Sequence, residues 1–258
     1  MTTQFGNLLK EWRQTRKLSQ LDLGLSADVS ARHISFLETG RARPSRAMVL
    51  NLSAVLEAPR DTRNAMLHAA GFAPSYRARG LDEADMIPIK DALEWMLERH
   101  MPYPAMVLDR HWKVIRANAT ADLLLTQMGL GEGTSLIEAL VDDTGLPAII
   151  ENWPEVAQHM VQRLRAESAH IGGDAYLDAM AARLSEQVHG ATLDLSSGSK
   201  AVVPTRYRLG ELTLSFFSTM SQFSTAEDIA LADWRIEHLF PADEQTRELL
   251  VRLAAGGS

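Results

Sequence analysis

Gln20, Arg32, Ser35 and Phe36 stand out first as residues whose types and spacing could do chemistry. Gln20 opens a helical segment, where its amide and the free backbone N–H groups could grip a phosphate. Ala31, Arg32, Ser35 and Phe36 lie on the outer side of the next segment, away from Ile34 and Leu37, and Ser30 precedes them as its cap. An arginine there can bond guanine in a major groove, and an outward phenylalanine can pack on a thymine methyl. Arg41 and Arg43 follow at once and complete a candidate DNA-binding set.

A second group lies in the last sixty residues. Leu214, Phe216, Ser218 and Met220 share one face of a strand-like run, and Thr213, Ser215, Phe217 and Thr219 share the other. With Met106, Leu108 and Trp153 the first face could wall an apolar pocket, in which flexible methionines suit an irregular shape. The same residues equally suit a close-packed core with no room for a ligand. Arg206 and Arg208 alternate with Thr205 and Tyr207. If that face points inward, Arg206 could anchor an acidic headgroup; if outward, both are surface charges. Asn152-Trp153-Pro154-Glu155 serves as well to start a helix as to wall a site, and Asn118 reads as a helix cap.

Other chemistry lacks positive signs. The chain has no cysteine, so disulfides and thiolate metal sites are excluded. The eight histidines show no ligand spacing, and neither a metal nor a cofactor is expected. Ser196-Ser197-Gly198-Ser199-Lys200 lacks the spacing of a phosphate loop and reads as a strand connection, and no nucleophile elbow or dinucleotide fingerprint occurs. The N-terminus does not read as a signal peptide, and no apolar run is long enough to span a bilayer, so a soluble, cytoplasmic protein is expected. The net charge of −7 conceals an asymmetry. Residues 1 to 80 hold 12 Lys+Arg against 6 acids, a balance of +6 that leaves −13 for the remainder. One end is thus suited to approach a polyanion and the other is not.

Five short helices must position the first group. They run from Gln4 to Thr15 with Leu8, Leu9 and Trp12 at helical spacing, then from Ser19, from Ser30 to Glu38, from Pro44-Ser45, and from Asp61 to Ala70. Asp28 falls where the chain must turn sharply, in a backbone conformation that Asp tolerates. Residues 73–88 have little apolar periodicity and read as a linker between a domain at 1–72 and another at 89–258. In the second domain the spacing predicts a helix over Ile89–Arg99 and strands at Ala105–Leu108 and Lys113–Ala117. Helices are predicted from Ala119 to Met128, Trp153 to Ser168 and Tyr176 to Val188. A hairpin of Ala201–Leu209 and Leu212–Ser221 turns at Gly210-Glu211, Asp228–Phe240 has helical spacing, and Glu244–Leu253 closes the chain. Such an order describes an α+β domain.

The run LSQLDLGLSADVSARHISFLETGRARPS resembles the helix-turn-helix of the Xre/Cro/repressor family, with matches at Leu18-Ser19-Gln20, Leu23, Ala27, Val29-Ser30, Ile34, Leu37-Glu38, Gly40 and Pro44-Ser45. That resemblance implies an all-α, lambda-repressor-like domain, a recognition helix at 31–38, an operator-backbone contact at Gln20, and a buried Arg13–Glu38 ion pair. Gly24 and Asp28 depart from the family's usual alanine and glycine. The second domain resembles the MmyB-like ligand-binding domain at Val107-Leu108-Asp109, Ala117-Asn118-Ala119, Glu151 to Ala157, Val202 to Tyr207, Phe216 to Thr219 and Phe240 to Glu244. The resemblance implies a PAS-like α+β fold, a small apolar or fatty-acid-like ligand, and a homodimer on a double-stranded DNA operator. Two alternatives are a DNA-binding regulator whose second domain only dimerises or docks a protein, and an enzyme fused to a DNA-binding domain.

Overall fold

The computed structural model describes residues 4–77, 79–142, 144–188, 202–223 and 228–256. The chain divides into two compact units, Met1–Arg79 with Ala169–Asp174 and Ala226–Ala232, and Gly80–Ser168 with Ala175–Thr225 and Asp233–Ser258. Among the described residues no helix is long and apolar enough to cross a membrane.

The first unit contains α1 (Gln4–Thr15), α2 (Gln20–Ala27), α3 (Ala31–Glu38), α4 (Arg46–Val55) and α5 (Arg60–Ala69). Each of the three central helices begins at a serine. Ser19, Ser30 and Ser45 accept from the N–H groups of Asp22, His33 and Met48, and Asp22 returns the bond to complete a capping box. Phe5, Leu9, Leu23, Ile34, Leu37, Leu52 and Met66 meet in one core. The expected inner face of α1 shifts slightly, since Phe5 is buried and Leu8 only packs at the edge. Asp28 adopts the left-handed backbone that the turn requires (φ 55°).

Gly24 has a reason that helix propensity does not reveal. A Cβ built there would lie 2.5 Å from the Val29 carbonyl oxygen and 3.1 Å from the Ala31 nitrogen. The α2–α3 turn therefore folds directly over the glycine. Beyond α5, residues within the expected linker are held rather than free. The Asn64 side chain accepts from the N–H groups of Ser75 and Tyr76 and donates to the Tyr76 carbonyl at 2.8 Å. The Tyr76 ring lies beneath the guanidinium groups of Arg60 and Arg63, which stack at 5.6 and 5.9 Å.

In the second unit α6 (Ile87–Arg99) leads to β1 (Ala105–Leu108) and β2 (Val114–Ala117). Helices α7 (Ala119–Gln127), α8 (Leu136–Val141), α9 (Leu146–Ile149), α10 (Trp153–His170) and α11 (Ala175–Gln187) follow. The chain then forms β3 (Thr205–Leu209), β4 (Leu212–Gln222), β5 (Arg235–Pro241) and α13 (Glu244–Gly256); α12 (Ile229–Asp233), between β4 and β5 in the chain, belongs to the first unit up to Ala232. The sheet is antiparallel throughout, in the order β2-β1-β5-β4-β3. Two sequence-local hairpins are thus joined edge to edge by the last strand, which is the PAS-like arrangement of an α+β domain. Asn118 caps α7 through Ala121 N–H and also bonds the backbone of Leu97, Tyr103 and Ala105, so it welds the sheet edge to two helices.

The stretch Asp228–Phe240, expected as one helix, is instead α12 and β5. Leu231 and Trp234 sit at helical spacing, but Trp234, Ile236, His238 and Phe240 also share one face at period two, opposite Arg235, Glu237 and Leu239. The alternation wins because β1 and β4 offer open edges on both sides, and β5 pairs with each. The hairpin turns at Gly210 (φ 65°) as expected, while the first strand begins at Thr205 rather than Ala201. The Ser196–Lys200 connection lies outside the described residues.

Candidate DNA interface and ligand cavity

Helices α2 and α3 and the turn between them form the candidate DNA interface. Arg32 is exposed on α3, with its guanidinium 5.2 Å from the centre of the half-buried Phe36 ring. Ser30, Arg41 and Arg43 are exposed, and Ala31 and Ser35 are half-buried on the same helix. Gln20 behaves differently from the simple expectation. Its amide nitrogen donates to Glu38 Oε2 at 2.7 Å, which ties the start of α2 to the end of α3. Glu38 also receives Arg13 Nε at 2.7 Å and Nη2 at 3.1 Å, and Arg13 Nη1 donates to the Leu18 carbonyl. With Glu38 only 3% exposed, this charge-assisted fork is the expected buried ion pair, extended to a third side chain.

The second unit holds a cavity of about 310 Å³, partly open to solvent, between sheet and helices. Met106, Phe216 and Leu239 line it from the sheet, and Leu136, Leu140, Leu146, Val156 and Met160 from α8, α9 and α10. The volume lies at the lower end of the range for small-molecule sites. A smaller apolar space of about 70 Å³ shares Met106, Leu136, Leu146, Tyr207, Phe216 and Leu239 with it. Polar groups reach the main cavity from Thr205, Tyr207, Ser218, Glu237, His159 and Arg163. Burial first, then the nearby Glu237 charge, pushes the Tyr207 phenol up, so it stays protonated and neutral.

Beside this cavity stands a compact charged group. Trp112, itself a lining residue, has left-handed backbone (φ 60°) in the turn between β1 and β2. The guanidinium groups of Arg163 and Arg235 stack on its ring at 4.1 and 4.9 Å. Glu167 accepts from Arg163 Nε at 3.0 Å, Trp112 Nε1 at 3.1 Å and Arg235 Nη1 at 2.7 Å. Glu237 Oε1 lies 3.5 Å from Arg163 Nη1.

Of the residues expected to wall a pocket, Met106, Phe216 and Ser218 line the cavity. The others stand elsewhere. Leu108 is fully buried in the main core, and Trp153 packs against that core from its edge. Leu214 joins Leu124, Phe216 and Leu250 in a second cluster, and Met220 is exposed with its sulfur against Arg163. Arg206 is a correction. Thr205 and Tyr207 face the cavity, so alternation turns Arg206 outward, where it is 41% exposed and 3.8 Å from Glu151. Its backbone N–H donates to Asn152 Oδ1 and its carbonyl accepts from Glu151 N–H. Glu237 escaped the sequence reading because its segment passed for a helix. Arg163 and His159 escaped because a charged residue on a long helix is ordinarily solvated.

A helix-turn-helix unit and a PAS-like unit with a cavity against its sheet define a DNA-binding transcription regulator with a ligand-binding domain. Residues 89–253 match the MmyB-like transcription regulator ligand binding domain, and residues 4–66 match a helix-turn-helix domain family. The chain belongs to the MmyB-like family. No curated protein matches it. Among solved structures, a PAS domain of an HTR-like protein from Haloarcula marismortui is similar at 15% identity and a TM-score of 0.27, covering 63% of this chain and 99% of that one. An RNA-binding light-oxygen-voltage receptor is similar at 12% identity and a TM-score of 0.27, covering 98% of this chain and 62% of the receptor.

Proposed function

We propose that a small, largely apolar molecule held in the cavity of the second unit controls the affinity of the helix-turn-helix for its operator. The observation that carries this reading is the partly open cavity of about 310 Å³, walled mostly by apolar side chains with a few polar groups among them, as small-molecule sites usually are. Gln20, Ser30, Ala31, Arg32, Ser35, Phe36, Arg41 and Arg43 form the DNA-reading set in this proposal. Arg32 and Phe36 address base edges, and the other cations address phosphate. The protein acts as a homodimer, because one recognition helix covers only a few base pairs and two must be spaced about one turn of DNA apart. Ile87 and Trp95, exposed on α6, supply apolar surface for such a contact.

Fatty-acid-like molecules are the ligand class that the resemblance implies, and the apolar lining supports the chain part of such a ligand. Native mass spectrometry of gently purified protein tests the reading directly. A retained hydrophobic molecule whose removal changes operator affinity in an anisotropy titration is the expected result. Protein that is empty as isolated, with operator affinity indifferent to organic extracts, would leave the second unit as a dimerisation or protein-docking module.

A further inference from the structure

We infer that Arg163 is the anchor for the charged end of an acidic ligand, held at the opening of the cavity with the ligand's apolar tail inside. The inference deepens the ligand-binding reading above and rests on it.

The guanidinium of Arg163 is only partly used by the fold. The side chain lines the cavity from α10 and is 25% exposed. A guanidinium offers five N–H donors in a planar fork. Here only Nε has a strong acceptor, Glu167 at 3.0 Å. Nη1 reaches Glu237 Oε1 at 3.5 Å, which is long for a hydrogen bond, and Nη2 meets the Met220 sulfur, a weak acceptor. These two outer nitrogens are the part of the fork that a carboxylate can take with a pair of parallel bonds.

The surroundings are short of acceptors too. Arg235 stands two residues before Glu237 on β5 and stacks on the same Trp112 ring as Arg163. It is 5% exposed, and its Nε is buried without a hydrogen-bond partner among the described residues. Glu167 already serves Arg163, Arg235 and the Trp112 indole N–H. One carboxylate thus answers three donors, and a buried donor left over is costly. A ligand carboxylate gives Arg163 acceptors of its own and leaves more of Glu167 to Arg235.

The position suits a charge. His159, one turn before Arg163 on α10, is exposed and lines the same cavity, so this edge of the helix lies at the opening. A carboxylate there keeps part of its hydration while Arg163 binds it, which lowers the desolvation cost. The tail runs inward along Met106, Leu136 and Phe216, which also line the smaller space. Glu237 is the like charge to be outweighed, and its 3.5 Å contact is loose enough for Arg163 to be shared.

Three probes with a ten-carbon chain test this on the full-length protein at neutral pH: decanoate, methyl decanoate and decylamine. Calorimetric titration should find decanoate bound about ten-fold or more tightly than either, because a charge-assisted fork is worth more than a neutral bond. The ester loses less hydration on entry, so its defeat would be due to the missing charge. The amine carries the sign that Glu237 would choose. In Arg163→Met, which keeps an unbranched apolar stem, decanoate should fall to the level of the ester, and the ester should be little changed. An ester or amine that binds as well as decanoate, or an acid preference intact in folded Arg163→Met, would overturn the inference while leaving the cavity a ligand site. Failure of all three probes to bind would instead remove the ligand reading, and the anchor with it. The comparison of probes on the wild-type protein needs no variant, so an Arg163→Met protein that fails to fold does not shield the inference.

Discussion

Replacing Glu38 with alanine should unfold the helix-turn-helix at far lower stress while sparing the second unit. The carboxylate receives four things at once: Arg13 Nε, Arg13 Nη2, the Gln20 amide, and the burial that makes each bond count. Without it, the Arg13 guanidinium keeps only the Leu18 carbonyl and stays 11% exposed, poorly placed to reach water. Stranding a buried cation costs about 3–5 kcal/mol, a large part of the roughly 5–15 kcal/mol that holds a domain together. A global melting curve blurs this, because two units need not unfold together. Amide hydrogen exchange resolves it, since protection of α1 and α3 converts to a local opening free energy. The expected loss is on the order of several kcal/mol in those helices and nothing measurable in β1 or β5. The double variant Arg13→Met with Glu38→Leu should recover much of the loss, since an apolar pair of similar volume strands no charge. A single Glu38→Ala variant within about 0.5 kcal/mol of wild type, the usual span of a harmless surface change, would refute the reasoning.

Arg32→Ala should weaken operator binding by about 1–3 kcal/mol and relax preference at one base step; an anisotropy titration on single-base operator variants checks both. Gly24→Ala should destabilise the first unit despite a propensity gain of up to about 1 kcal/mol, because the new methyl meets the Val29 carbonyl; a higher melting temperature would show that the turn yields. Sedimentation at micromolar concentration should find a dimer, and a monomer bound singly to the operator would exclude the proposed assembly. His238 should make the second unit acid-sensitive. Burial, then the neighbouring His100, lowers its pKa, so the unfolded chain binds the proton first and stability falls as pH drops below the ordinary histidine value of 6.5. A His238→Asn variant should show a flatter dependence of melting temperature between about pH 5 and 7.

The helix-turn-helix was legible because its determinants are local. Ser19, Ser30 and Ser45 cap the helices they precede, Asp28 turns where a left-handed residue is needed, and apolar spacing picks out Leu23, Ile34 and Leu37. Gly24 was legible as a departure but not as a necessity, since the Val29 carbonyl arrives from outside its helix. In the second unit the β3–β4 hairpin announced itself through Gly210, whereas β5 did not, because its partners β1 and β4 lie far away in sequence. The cavity inherited that blind spot. With β5 unread, Glu237 was invisible, and Arg206 took the role of anchor from an alternation whose inward side is occupied by Val203, Thr205 and Tyr207.

Trp112 gives the protein a built-in optical gauge. Of its five tryptophans, this one forms part of the cavity wall, clasped by two guanidinium groups and bonded through its indole N–H to Glu167. Indole emission responds to charge and solvent a few ångströms away, and an entering molecule changes both at this ring. Occupancy of the second unit can therefore be read from intrinsic fluorescence without any added label, and a Trp112→Phe control isolates that signal from the other four indoles.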